Sequence, residues 1–406
     1  MRSQKMGAAW DIVYERKLVA LLAAGFGLVF IDRYMILPLY PVLMKDLGLT
    51  YSDLGYITVA LSLAWGASSI FMGHVSDRMG YRKVIIPALV IFSLIAGMSG
   101  LATGLLSLVA IRATIGLAEG AYTPTSITAA IGASEPRRHG LNSGLQQLPG
   151  PLLGLGLAPI FVTQLLSYVS WHVVFSIVVI PGLIVAFLLW KVLRDSPQSG
   201  ASQQPIEKHH WLEVFRYRNI RLNVLAELCW LACLTTLAML LPNYLIDCMH
   251  LDIKQMGFIM SAIGLGGTLG ALAISALSDL IGRRPTVVLS VLGTALFVWL
   301  LANAGPDPLL LFSYLAVIMF FLTGMIVMTI GVLCTESVPV GLASTASGLV
   351  IGVGEVFGGG ISPVITGLIV QHFGISHFIY LCFIPLAVGL LVALNLKETA
   401  PERVRS

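Results

Sequence analysis

The sequence predicts an all-α integral membrane protein with twelve transmembrane helices in two six-helix, pseudo-symmetric bundles. Three observations predict it. Of 406 residues, 57% are hydrophobic and 11% charged, whereas soluble domains carry about 25% charged residues. Apolar runs recur twelve times, each near the roughly 20 residues a helix needs to cross a bilayer. The two halves of the chain also repeat one another.

The runs justify the helices in order. The first, 18–43, is long, lacks a small-residue cleavage site and is followed by further spans, so it reads as a retained helix and not a cleaved signal. Runs 54–76 and 84–103 flank the polar turn Ser76-Asp77-Arg78-Met79-Gly80-Tyr81-Arg82-Lys83. Runs 105–131 and 140–166 flank Arg137 and Arg138, and 172–193 closes the first half. The longest polar interruption, Asp195–Arg216, is rich in Ser, Pro, Gly and Gln, residues of loops. It divides the chain into a bundle over 1–194, a cytoplasmic linker over 195–216 and a second bundle over 217–406. Runs 221–246 and 255–277 lead to a second polar turn, Ser278–Pro285, and 286–303, 308–333, 343–370 and 376–396 complete the set.

Charge orients the helices, because cytoplasmic loops are enriched in Lys and Arg. Setting aside Arg33 and Arg112, which lie within runs, only Lys45 and Lys254 fall on the side opposite the other basic residues. Both termini are therefore expected in the cytoplasm. The net charge of +4 follows from this topology and calls for no nucleic-acid partner. The five cysteines lie in the second half, mostly inside apolar runs, and read as packing residues. No metal-ligand cluster, nucleotide-cradling loop or hydrolytic triad is present, so neither a metal nor a cofactor nor an enzymatic activity is expected.

The repeat is specific. Ser76–Lys83 recurs as Ser278-Asp279-Leu280-Ile281-Gly282-Arg283-Arg284-Pro285 at an offset of 202, and Ser143-Gly144-Leu145 as Ser347-Gly348-Leu349 at an offset of 204. Internal repeats with six spans each mark a transporter whose site lies between the repeats near the bilayer midplane.

Four charges sit where a spanning helix should be apolar: Asp32 and Arg33 in the first run, Arg112 and Glu119 in the fourth. Such charges are costly and are kept for substrate, ion or proton traffic. Seven helical residues advance about 10.5 Å and return to nearly the same face, so Arg112 and Glu119 share a stripe, and Asp32 with Arg112 is a plausible pair. The alternative is a static ion pair that orders the first bundle. Among neutral groups, Gln146, Gln147, Asn243, Tyr34 and Tyr122 are candidate substrate contacts, each also explicable as helix packing. Glu355, in the glycine-dense eleventh run, reads either as a further proton site or as a charge facing water at a helix end. Glu227, some six residues into the seventh run, reads as interfacial.

The turn Gly73–Lys83 resembles the signature loop of the major facilitator superfamily, and its copy at 275–285 is a weaker version with Ser275 and Leu280 in place of the leading glycine and first arginine. The resemblance covers the whole chain. It implies a gating role for Asp77, Arg78, Gly80 and Arg82 and for Asp279, Gly282 and Arg284. Within the superfamily, Ile31-Asp32-Arg33-Tyr34, Arg112-x6-Glu119, Trp171 and Glu336–Gly341 resemble the anion:cation symporter family of organic-acid and sugar-acid carriers. Spinster-like lipid carriers share a similar charge pattern. The resemblance implies a carrier of a small carboxylate in a bacterial inner membrane. The buried charges themselves read as its proton-coupled symport site in a monomer, with Asp32 and Glu119, and Glu355 on the first of its two readings, handling protons and Arg33 and Arg112 the anion. Pro149-Gly150-Pro151-x-x-Gly154 partly resembles the motif of drug/proton antiporters, so export of a drug-like or lysolipid-type amphiphile is the alternative.

Overall fold

The computed structural model describes residues 11–49, 51–166, 168–194 and 211–401. Twelve helices cross the molecule. In the first half they are α1 (Ile12–Leu47), α2 (Tyr51–Met79), α3 (Tyr81–Met98), α4 (Leu105–Gly132), α5 (His139–Gln147, then a π-helical stretch Gly150–Leu157 and Ala158–Leu166) and α6 (Trp171–Ile177 with Val179–Val192). In the second half they are α7 (Arg218–Asp247), α8 (Ile253–Ile281), α9 (Arg283–Ala302), α10 (Pro308–Ile330), α11 (Ala343–Val353, the π-helical stretch Gly354–Ile361 and Ser362–Phe373) and α12 (Ile375–Cys382 as 3-10 helix with Phe383–Asn395). The expected linker at 195–216 lies mostly outside the described residues; its last part, Trp211–Arg216, is a 3-10 helix.

A bilayer offers backbone groups no water, so each crossing segment must satisfy its own hydrogen bonds as a helix. Eleven of the twelve are apolar enough over 18 residues to be recognised as crossing a membrane by length and hydropathy alone. α5 is the exception among the described helices. It opens with His139, Asn142, Ser143, Gln146 and Gln147, of which the last four are buried against protein and not lipid.

The duplication extends to irregularities. The two π-helical stretches, Gly150–Leu157 and Gly354–Ile361, stand 204 residues apart. In α5 the cause is visible: Pro149 and Pro151 lack N–H donors, and the register slips by one residue past them. The short turns after α2 and α8 are also copies. Gly80 and Gly282 have φ of 91° and 102°, a conformation that a side chain would strain, which lets α2 reverse into α3 and α8 into α9 within one residue.

The halves meet along two crossings, α2 on α11 and α5 on α8. Small residues bring backbone against backbone there. A Cβ on Gly73 or Gly348 would strike the carbonyl oxygens of Ser344 or Ser69; one on Gly140 or Gly144 would strike those of Ser275 or Ala271. These contacts occupy the end of the bundle that carries the basic turns, and the seam continues inward to Gly66 against Gly352 and Gly264 against Gly156. At the far ends of α2 and α8, a Cβ on Gly55 or Gly257 would meet open space. The molecule is closed at its basic end.

Candidate substrate and proton site

α1 and α4 bring Asp32 and Arg112 together at mid-helix depth. Arg112 Nη1 donates to Asp32 Oδ2 at 3.0 Å and to the Asp32 carbonyl at 2.9 Å, and both side chains are buried. This leaves Arg112 Nε and Nη2, and Asp32 Oδ1, with no hydrogen-bond partner. The guanidinium lies 5.7 Å from the Phe175 ring centroid. Glu119, seven residues further along α4, is wholly buried, and neither of its carboxylate oxygens has a partner.

Arg33 turns the other way, across the seam. Its Nη1 and Nη2 donate to Glu355 Oε1 and Oε2 at 3.3 and 3.0 Å, a fork-to-fork pair between α1 and the π-helical stretch of α11. Both partners keep some exposure, 17% and 14%, unlike the sealed Asp32–Arg112 pair. The Arg33 guanidinium also stands 4.4 Å from the Trp65 ring centroid and 5.9 Å from that of Tyr34, so two aromatic faces support it. Glu355 is thus a charge between the halves, not one facing water at a helix end.

The cluster holds three carboxylates, Asp32, Glu119 and Glu355, against two guanidinium groups. Each arginine has taken one carboxylate, and Glu119 is the one left over. A buried carboxylate without partner or proton costs several kcal/mol, so the excess is the natural place for a proton to enter.

The neutral candidates divide. Tyr34 is half-buried beside Arg33, and Asn243 is exposed on α7. Gln146 donates to Ser126 Oγ at 3.1 Å but leaves Oε1 unpartnered, while Gln147 folds back on Ser143. Tyr122, a candidate substrate contact that also reads as packing, packs in the first half: it is fully buried and its hydroxyl donates to the Leu22 carbonyl at 2.8 Å, which ties α4 to α1. The reading of Glu227 as interfacial is also overturned. It is 2% exposed, because α10, α11 and α12 pack around α7 at that level.

At the basic end, two aspartates reach across the seam. Asp77 accepts from the backbone N–H groups of Ser344 and Thr345 at 3.0 and 2.6 Å and from Thr345 Oγ1 at 2.7 Å, at the start of α11. Its counterpart Asp279 accepts from the N–H groups of Gly140 and Leu141, both at 2.9 Å, at the start of α5. Each carboxylate caps a helix N-terminus of the opposite half, where the helix dipole favours negative charge. The arginines expected beside them work within their own halves: Arg82 donates to the Trp190 carbonyl and Arg284 to that of Leu394, both at 2.8 Å, pinning α3 to α6 and α9 to α12. Arg78 is exposed.

Glu336 escaped the sequence reading as a separate link. It accepts from Arg283 Nη2 at 2.8 Å and Thr399 Oγ1 at 3.0 Å in its own half and lies 3.1 Å from His139 Nδ1 of the other. Burial pushes its carboxyl up, but the hydrogen bonds from His139 and Arg283 outweigh this and hold it below the ordinary carboxylate value. A cavity of about 610 Å³ opens beside it, lined among others by Tyr81, Thr128, His139 and Thr399.

Against known proteins, a family model described as Major Facilitator Superfamily matches residues 22–358. The chain is 26% identical over 263 residues to the hexuronate transporter of Bacillus subtilis, a match spanning 63% of this chain and 62% of that protein. It is 27% identical over 394 residues to a probable 4-methylmuconolactone transporter of Cupriavidus pinatubonensis, covering 93% and 89%. In structure it resembles the proton:xylose symporter XylE, with a TM-score of 0.78 over 96% of this chain and 97% of that one at 16% identity.

Proposed function

Since the chain belongs to the major facilitator superfamily, and is thus a multi-pass membrane transporter and not an enzyme, we propose that it moves a small organic anion together with protons by alternating access. The observation that carries this reading is the unequal count at the site: three carboxylates, two of them fully buried, share two arginines, and Glu119 is left without a partner. With a proton on Glu119 the cluster is neutral, and an incoming carboxylate can take the Arg33 fork from Glu355. Arg33 suits this exchange because it and its partner keep some exposure, 17% and 14%, and because guanidinium binds carboxylates bidentately. When Glu119 loses its proton, the excess negative charge returns, and Asp32, Glu119 and Glu355 compete with the anion for both arginines. Substrate leaves.

Positive-inside charge supports a cytoplasmic basic end with both termini on that side, and on this reading the membrane is a bacterial inner membrane. The conformation described is then outward-facing, sealed inside by the caps of Asp77 and Asp279. On this reading the bundles at 1–194 and 217–406 rock against one another, and the Arg33–Glu355 contact joins them in the state described. A monomer suffices, since one chain contains both halves.

The names of the relatives, a hexuronate and a methylmuconolactone carrier, select the test panel. Purified protein in liposomes is to be assayed for uptake of a hexuronate, a muconolactone, an aromatic acid, a dicarboxylate and a lysolipid, with and without an inward-directed proton gradient. Accumulation of an acid that collapses with a protonophore supports the reading. Proton-driven efflux of the lysolipid with no acid uptake would replace it by the exporter reading.

A further inference from the structure

The second half contains buried acceptors that the site above does not use. Glu227 on α7 is 2% exposed and its Oε2 has no hydrogen-bond partner. Asn223, one turn earlier on the same face, is wholly buried, and its Oδ1 is likewise unpartnered. The orientation of the Asn223 amide follows from its other neighbour. Cys334 Sγ donates its proton to the Thr329 carbonyl at 3.0 Å, so the group turned toward that sulfur is the Asn223 NH₂, at 3.7 Å. Oδ1 is therefore left as an acceptor.

Two buried acceptors on adjacent turns, with no donor between them, each forfeit about 1–3 kcal/mol. One proton resolves both: a protonated Glu227 carboxyl is a donor, and Asn223 Oδ1 is the acceptor one turn away. Arg33 is engaged by Glu355 and Arg112 by Asp32, and neither donates to Glu227 Oε2 or Asn223 Oδ1. The titratable groups that face Glu227 are Glu355 of α11 and Cys334 beyond α10. α12 brings Cys382, which is set against Cys233. The approach to Glu355 is direct: Gly354 leaves room for the Glu227 side chain, and a Cβ there would come within 2.6 Å of Glu227 Cγ.

We propose that Glu227 and Asn223 form a second proton-binding site, in the C-terminal half, whose proton passes to Glu355 when the anion takes Arg33. The proposal rests on the proton-coupled reading above. It gives that reading its missing step: once Arg33 is engaged by substrate, Glu355 is a largely buried carboxylate without a cation, and a neighbouring carboxyl holds the proton that neutralises it. No covalent bond changes; one proton moves from Glu227 to Glu355 and is replaced at Glu227 from the open side.

Two measurements on the reconstituted full-length protein test this. The infrared band of a protonated carboxyl at neutral pH should be weaker by one group in Glu227→Gln and should shift in Asn223→Leu, which removes its acceptor. The proton-to-anion ratio, measured from the gradient that just halts uptake, should fall by one in Glu227→Gln, with an unchanged thermal unfolding midpoint as the sign of a folded carrier, and Glu227→Asp should restore it. An unchanged band in Glu227→Gln, or an unchanged ratio, overturns the proposal. A wild-type protein whose uptake ignores the proton gradient would instead refute proton coupling itself.

Discussion

Removing the charge of Asp77 tests the closure of the basic end. In Asp77→Asn the single remaining carbonyl oxygen can keep the two bonds from Thr345, but an NH₂ group then faces the Ser344 N–H, which Oδ1 accepts at 3.0 Å in the wild type. A hydrogen bond to a charged group contributes about 1.5–3 kcal/mol, and the attraction of a carboxylate to a helix N-terminus about 0.3–1 kcal/mol. The closed state should therefore lose about 2–4 kcal/mol relative to the open one, a shift of roughly 30- to 1000-fold at tenfold per 1.4 kcal/mol. Asp279 still caps α5, so the seam weakens without vanishing. The assay is the labelling rate of a cysteine at Thr128, which is buried where it lines the cavity beside Glu336, in a background with the native cysteines replaced. Labelling should rise by at least about 30-fold in Asp77→Asn and comparably in Asp279→Asn, while affinity for the transported anion changes little. An unchanged rate, or a collapse of affinity at normal accessibility, refutes the assignment of these aspartates to the gate.

Arg33→Ala should insert normally yet lose anion binding by about 100-fold or more, the worth of a buried bidentate contact, and Arg33→Lys should recover only part because it lacks the fork; equilibrium binding decides, and wild-type affinity in Arg33→Ala would make the arginine structural. Gly348→Val or Gly144→Val, placed where backbone meets backbone, should cost the closed seam about 1–3 kcal/mol by overpacking and raise the same labelling rate; no change would mean the crossing has slack. The pH dependence of closure follows from Glu336. Its carboxyl is depressed from an ordinary value of 4.5, so its contribution to closure is complete above that value and is lost only as pH falls through the lower, closed-state value. Labelling at Thr128, taken relative to a fully exposed control cysteine to cancel the thiolate fraction, should therefore stay flat from neutral pH down to the ordinary carboxylate range and rise below it, whereas Glu336→Gln should label faster already at neutral pH; a wild-type rise near pH 6 would contradict the assignment.

The helices were legible because a bilayer leaves the backbone few alternatives, and the repeat because both copies keep the same turn around Gly80 and Gly282. Less legible was α5, where Asn142, Ser143, Gln146 and Gln147 lower the hydropathy while facing protein. At the site, the Asp32–Arg112 contact lies within one bundle and follows from helical spacing, but Arg33–Glu355 joins residues 322 apart and depends on how the halves dock. Glu227 was misplaced because depth along α7 says nothing of the helices packed around it. For Tyr122 the sequence left substrate contact and packing both open, because the destination of its hydroxyl, the Leu22 carbonyl, is a backbone atom of another helix.

The account stands most directly on Glu119, the carboxylate that neither arginine has taken. Glutamine has nearly its shape but stays neutral, as the protonated acid would. In proteoliposomes, Glu119→Gln is expected to exchange labelled anion across the membrane at a rate near that of the wild type, while accumulation driven by a proton gradient, and its dependence on pH, disappear. Accumulation by Glu119→Gln at the wild-type level under the same gradient would contradict the account.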